Sequence, residues 1–365
     1  MSLQAEHPVS PPKDSQIDSG SSHVPAVMAS DFTNWATGEG VAFGLRSRGW
    51  KIAEVDRRHY LGAAKGVLRI ARRLMSATAV QAYNDAIVAQ CEGVGARAFL
   101  TMKGSFIRGS TIENLQQRSV LTAIYYTDRD FDRPDVDMDV IRNVDVLFTT
   151  KSFQLDWLKK VRGDRATYFV PHGYPTMVEL AAGDVPAEPN YAHDIAYIGN
   201  PDAAKVELLS QIYAQFPKAS ILIAGNGWRK ATARLPLASR VSDHPVVGDF
   251  LAEAHRRARV NLAFHMGVGP NGWADLVSRR AFEIPAFRGF MLHVDNSEVR
   301  ALYDVPAEID VFRDASELIE KITYYLDRPD LRRHMIERAH RRAVPAYGHH
   351  SRGIEIDALL RPLLR

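Results

Sequence analysis

The sequence predicts an α/β protein made of two doubly wound domains that face each other across a cleft. Three observations carry that expectation. From residue 24 onward short apolar runs alternate with longer helical patterns, the mark of βαβ units with parallel strands. The alternation is interrupted once, at TMVELAAGDVPAEPNY (176–191), where Gly, two prolines and acidic residues mark an interdomain connection. At 365 residues the chain also exceeds what one hydrophobic core usually serves.

Taken in order, residues 1–23 are rich in Ser, Pro and charge and are expected to form a disordered lead-in. Strands are expected over 23–30, 50–56, 96–102, 119–128, 144–150 and 166–173, with helices over 40–49, 79–93 and 151–161. These make a first domain over 24–175, joined by a linker at 176–192 to a second over 193–348. There, strands are expected over 193–199, 219–225, 258–265, 289–295 and 307–312, and helices over 203–216, 274–287, 315–327 and 329–343. A last helix, within 349–365, is expected to cross back towards the first domain. In open sheets of this kind ligands bind beyond the carboxyl ends of the strands.

Composition narrows the partners. Apolar residues make up 46% and charged residues 24%, ordinary for a globular protein. A formal charge of +3 gives no argument for nucleic acid. Cys91, the only cysteine, excludes an intramolecular disulfide and a Cys-rich zinc site and fits a reducing cytoplasm. No apolar run approaches the roughly 18 residues of a membrane-spanning helix, and the N-terminus lacks the apolar core of a signal peptide. A cytoplasmic enzyme is expected. The Arg and His cluster at 328–342 reads as a solvated helix face, with attraction of an acidic acceptor, an anionic membrane or nucleic acid left open.

The most informative stretch is NLAFHMGVGPNGWADLVSRRAFEIPAFRGFMLHVD (261–295). A strand delivers the chain to a Gly/Pro/Asn-rich loop, and a helix is expected to start near Ala274 or Asp275. Such a loop lets backbone amides approach a ligand, and a helix N-terminus favours phosphate. Arg279 and Arg280 can fork onto diphosphate oxygens, and Glu283 can accept hydrogen bonds from ribose hydroxyls. Ordinary surface pairing of Arg and Glu along a helix explains the same residues equally well.

The run RRAFEIPAFRGFML, preceded by NLAFH, resembles the C-terminal domain of the CgeB-like glycosyltransferases. These are a branch of the GT-B group that includes the family 4 enzymes. IAYIGN (195–200), ILIAGNGW (221–228) and the closing helices from ASELIEK onward extend the likeness over roughly 193–360. The resemblance implies the GT-B fold and transfer of a hexose from a nucleoside-diphosphate sugar to a hydroxyl acceptor. Glu283 then matches the residue that holds the donor ribose. Asp275, eight positions earlier, stands where family 4 enzymes carry a first Glu near the donor sugar, with helix capping as its other reading. Arg279, Arg280 and, after them, Lys205 are candidates for the diphosphate. Gly225, Asn226, Gly227 and Trp228 fall where the base is read by backbone and stacking. Gly38 and Gly40 stand in the loop expected to approach the donor from the first domain.

Two further candidates come from position. Asp128, at the end of a strand, is the first candidate for the general base, with a capping or loop-stabilising carboxylate as its other reading. His172, at the domain junction, is a candidate to face the cleft, with a structural histidine as its other reading. No cofactor and no metal are called for, since Arg, Lys and a helix terminus can stabilise a leaving diphosphate. The D-V-D and D-M-D triplets at 135–139 read as a solvated acidic loop. A sugar-nucleotide 2-epimerase and a non-catalytic subunit of the same architecture are the competing functions.

Overall fold

The computed structural model describes residues 23–62, 69–180, 183–265, 267–269 and 271–364. The expected disordered lead-in therefore lies, apart from His23, outside the described residues.

Two all-parallel sheets of six strands organise the chain. The first is built from β1 (Val24–Ser30), β2 (Trp50–Asp56), β3 (Ala98–Met102), β4 (Leu121–Tyr126), β5 (Val146–Thr149) and β6 (Ala166–Phe169), in the order β2-β1-β3-β4-β5-β6. The second contains β7 (His193–Ile198), β8 (Ile221–Ala224), β9 (Val241–Ser242), β10 (Ala258–Ala263), β11 (Met291–Val294) and β12 (Asp310–Phe312), in the order β12-β11-β10-β7-β8-β9. The strands are apolar on both faces: Val27, Phe99, Ile124 and Leu147 pack into one cluster while Ala26, Leu100, Tyr125 and Phe148 pack into another. That is the burial expected when helices cover both sides of a parallel sheet. The order of strands reverses between β1 and β3 and between β7 and β10, and crevices open at such points beyond the carboxyl ends.

The helix His349–Leu360 lies on the helix Thr37–Ser47 of the first half. Glycines make the contact close: a Cβ on Gly44 would stand 2.0 Å from the His350 carbonyl oxygen, and one on Gly353 2.4 Å from that of Val41. Trp50 Nε1 donates to Asp357 Oδ1 at 2.6 Å and fixes the register.

Several expected elements are corrected. The helix expected over 79–93 starts ten residues earlier, at Arg69, because RIARRLMSAT is composed of good helix formers. Short helices at Gly109–Gln117, Asp249–Arg256 and Ser297–Leu302 were not expected, being too brief for apolar periodicity to show. The triplets at 135–139 are not a solvated loop: Asp137 caps the helix Met138–Asn143 and accepts from the Gly109 amide at 2.8 Å, while Asp135 pairs with Arg133. Nor is 328–342 simply a solvated face. Arg332 is buried, donating to Glu188 at 2.6 and 2.7 Å and thereby clamping the linker.

Candidate active site

The carboxyl edges of the two sheets face each other around a cleft of about 490 Å³, within the range of small-molecule sites. A second recess of about 300 Å³ opens beside it at the β1/β3 reversal, and Trp35, Thr37, Lys103, Thr127 and Arg279 border both.

On the second half, the helix carrying the arginines runs only from Arg280 to Ala286, later than the expected start at Ala274 or Asp275. Asp275 does not cap it. Its carboxylate meets the Lys151 ammonium of the first half, which also donates to the Val277 carbonyl at 3.0 Å. Arg279 stands at the N-cap position, where Nη2 pairs with Glu283 at 2.6 Å and reaches the Trp35 carbonyl at 3.4 Å. Glu283, one turn in, is 5% exposed, so this carboxylate sits at the cleft floor beside a guanidinium.

Arg280 takes a different part from the one expected. Its fork donates to the carbonyls of Ile198 at 3.2 Å and Phe264 at 2.7 Å, and its guanidinium lies 5.1 Å from the Tyr197 ring centroid. Those carbonyls end β7 and follow β10, the strands that part at the reversal. Arg280 therefore ties the ends of the two strands together through its Nη atoms, while bordering the cleft as Arg279 does.

Two donor-side expectations are corrected. Trp228 is fully buried, stacked edge-on to Tyr197 at 6.0 Å, and Nε1 donates to the Gly199 carbonyl at 2.7 Å, so its ring is not presented for stacking on a base. Lys205, expected at the diphosphate, is not among the residues bordering the cleft: it is 4% exposed, donates to the Asn200 carbonyl at 3.0 Å and pairs with Asp202 at 3.0 Å, and burial pulls its ammonium pKa down. It holds the turn after β7 in place. In that neighbourhood Gly225 and Gly227 take φ values of 152° and 95°, and the exposed Asn226 donates its amide to Asn200 Oδ1 at 2.9 Å. A Cβ on Gly225 would meet the Gly199 carbonyl oxygen at 2.3 Å. Gly225 thus serves a close approach of two strand ends, and Gly227 a left-handed turn.

On the first half, Asp128 borders the cleft between Lys103 at 2.9 Å and Arg133 at 3.2 Å. Lys103 has a left-handed backbone, φ 63°, a strain of order 1 kcal/mol or more that points the lysine at the cleft. Gly38 borders the recess, wedged against Ser30. Gly40 does not face the donor cleft as expected: a Cβ there would stand 2.4 Å from that of His349, so this glycine serves helix packing. His172 lies between the cleft and a smaller apolar pocket, with its Nε2 3.1 Å from the Thr150 hydroxyl and Nδ1 buried. Burial, followed by Lys151 and Arg279, holds its pKa well below the usual histidine value, so the ring is neutral. Among the described residues, no group of three or more His, Cys, Asp or Glu is placed to hold a metal ion.

The sequence reading missed Lys103, Lys151 and the buried pair His265 and His293, whose Nε2 atoms lie 3.1 Å apart at the end of β10 and in β11. Lys103 had a legible signal, standing before Gly at the end of a strand. Lys151 had none, since its partner is 124 residues away.

Residues 205–358 match the family model described as Glycosyl transferase-like. No curated protein matches the sequence. Among solved structures, sucrose-phosphate synthase from Thermosynechococcus elongatus superposes with a TM-score of 0.67 at 15% identity, over 93% of this chain and 99% of that one. Anabaena HepE in complex with UDP gives 0.56 at 9% identity, over 93% and 100%. UDP-N-acetylglucosamine 2-epimerase gives 0.51 at 11% identity, over 94% and 97%. At such identities the likeness is one of fold, and the fold is GT-B. No helix among the described residues is long and apolar enough to cross a membrane.

Proposed function

We propose that this chain is a glycosyltransferase that moves a hexose from a nucleoside-diphosphate sugar to a hydroxyl acceptor, and that it belongs with the CgeB-like enzymes. One observation carries the reading. Arg279 and Glu283, the pair that the resemblance assigns to the donor, lie together at the floor of the cleft, with Lys103 and Lys151 reaching it from the other half. The glycosyltransferase-like match to 205–358 supports it from the sequence side.

In this reading Glu283 accepts from the ribose and Arg279 meets the diphosphate. The acceptor oxygen forms a bond to the anomeric carbon, the bond from that carbon to the diphosphate oxygen breaks, and the acceptor proton passes to Asp128 or to the neutral ring of His172. Arg279 and Lys103 stabilise the charge left on the diphosphate, so the reading requires no metal. The two halves exclude water, the competing nucleophile. The superposition on the epimerase is weaker than that on sucrose-phosphate synthase and gives the epimerase reading no separate support.

The test is product analysis by mass spectrometry after incubation with UDP-, GDP-, ADP- and TDP-sugars, with and without EDTA and without added acceptor. Slow release of free sugar and nucleoside diphosphate, unaffected by EDTA, is expected. A changed sugar on an intact nucleotide would assign epimerisation instead, and no turnover of any donor together with no binding of any nucleotide would overturn the catalytic reading.

A further inference from the structure

Trp273 belongs by chain to the second half, yet its indole is packed against the hydrophobic cluster of the first. It stands edge-on to Trp157 at 5.6 Å and 83° and to Phe131 at 6.2 Å and 79°, with Phe153 tilted at 5.9 Å. Phe131 is itself stacked between Tyr126 at 4.3 Å and Trp157 at 4.8 Å, so the bed is rigid and built from elements of the first half alone.

The rest of the loop is gripped on either side of that anchor. Arg129 Nη1 donates to the Gly267 carbonyl at 2.6 Å, and a Cβ on Gly269 would stand 2.8 Å from the Arg129 guanidinium carbon. The Gly269 amide donates to the Trp273 carbonyl at 2.8 Å, and Gly272 turns the chain at φ 75°. Beyond the indole, Lys151 holds Asp275 and Val277. Two of these grips come from one short first-half stretch: within 128–131, Asp128 borders the cleft, Arg129 holds Gly267 and Phe131 holds Trp273.

We infer that Trp273 is a positioning residue, which docks the loop leading to Arg279 and Glu283 onto the first-half loop bearing Asp128 and so sets the two sides of the cleft in register. Its kinetic consequence rests on the glycosyl-transfer reading, whereas the docking itself does not. Loss of the indole releases both loops at once. It leaves Arg279, Glu283 and the second-half fold intact, so nucleotide binding persists while the alignment needed for reaction is lost.

The experiment compares the full-length wild type, Trp273→Ala and Trp273→Phe by hydrogen exchange, UDP titration and UDP-glucose turnover. In Trp273→Ala, amides within 127–133 and 271–279 are expected to exchange roughly tenfold faster, with those of β3 and β8 unchanged. Turnover is expected to fall by about tenfold or more at saturating UDP-glucose, with the UDP dissociation constant within about threefold of wild type. Trp273→Phe, which keeps a ring in the bed, restores most of both. Unchanged exchange in 127–133 overturns the inference, as does UDP affinity falling in step with turnover. A wild type that turns over no sugar nucleotide counts against the function reading, and the exchange comparison still decides the docking.

Discussion

Lys151 and Asp275 join the two halves of the molecule across the cleft. Lys151 follows β5 in the first half, Asp275 precedes the helix of Arg279 and Glu283 in the second, and their side chains are 3% and 13% exposed. Removing one member of such a buried pair strands the other, at a cost of about 3–5 kcal/mol. Lys151→Met is therefore expected to lower the melting temperature by many degrees, and Lys151→Met with Asp275→Leu to recover much of the loss. A Lys151→Met variant as stable as wild type would mean that the contact contributes nothing to holding the halves together.

A second expectation concerns Trp228. Its ring fills the core beneath β8 and its Nε1 holds the Gly199 carbonyl. Trp228→Phe is expected to destabilise by a few kcal/mol through the cavity and the lost hydrogen bond, yet to leave nucleotide affinity almost unchanged once folded. Calorimetric unfolding and a binding titration on the same sample check both parts. Affinity lost without stability would return Trp228 to the base site.

The packing of the last helix makes a third. Gly44→Ala forces a methyl towards the His350 carbonyl oxygen, 2.0 Å from the ideal Cβ position. Overpacking of this kind costs about 1–3 kcal/mol. A thermal scan of the variant should show that loss, with faster exchange in 349–360, and a neutral substitution would mean that the two helices can slide apart freely.

Acid sensitivity follows from buried imidazoles. Burial lowers His293 from 6.5 to about 4, and burial also holds His172, His265 and His349 well below the ordinary value. The folded state keeps these rings neutral, while the unfolded chain protonates them below about pH 6.5. Their stabilisation is thus present above pH 6.5 and is lost as the pH falls towards 4. For His293 alone the span corresponds to about 3 kcal/mol. Melting temperatures taken from pH 7.5 to 4 should fall steeply over that window, and His293→Gln should flatten the slope. An identical slope in the variant would remove His293 from the account.

The strands were legible because each is a short apolar run between turn residues, and the two sheets follow from their alternation with helices. The place of Glu283 and Arg279 beside the cleft was legible too, since a Gly/Pro/Asn-rich loop after a strand marks the carboxyl edge of a sheet. What escaped the sequence is direction and partnership. Trp228 follows Gly-Asn-Gly, and nothing in that context tells a ring turned outward from one turned into the core. Arg279 and Arg280 are adjacent, chemically identical and both border the cleft, yet one pairs with Glu283 and the other is held by two backbone carbonyls. Lys205 looks like any helix-surface lysine until the turn at Asn200 folds over it. Lys151 and Trp273 owe their places to residues far along the chain, contacts that local pattern does not encode.

Assignment of the cleft to a sugar-nucleotide donor is decided by calorimetric titration of the wild type, Arg279→Ala and Glu283→Gln with UDP, GDP, ADP, TDP and their glucose conjugates. One nucleotide class is expected to bind the wild type. Each substitution should weaken that binding about tenfold or more, the scale of one lost hydrogen bond to a charged group. Binding unaffected by both substitutions would place the nucleotide elsewhere, and no binding of any nucleotide would contradict the assignment of this cleft to a sugar-nucleotide donor.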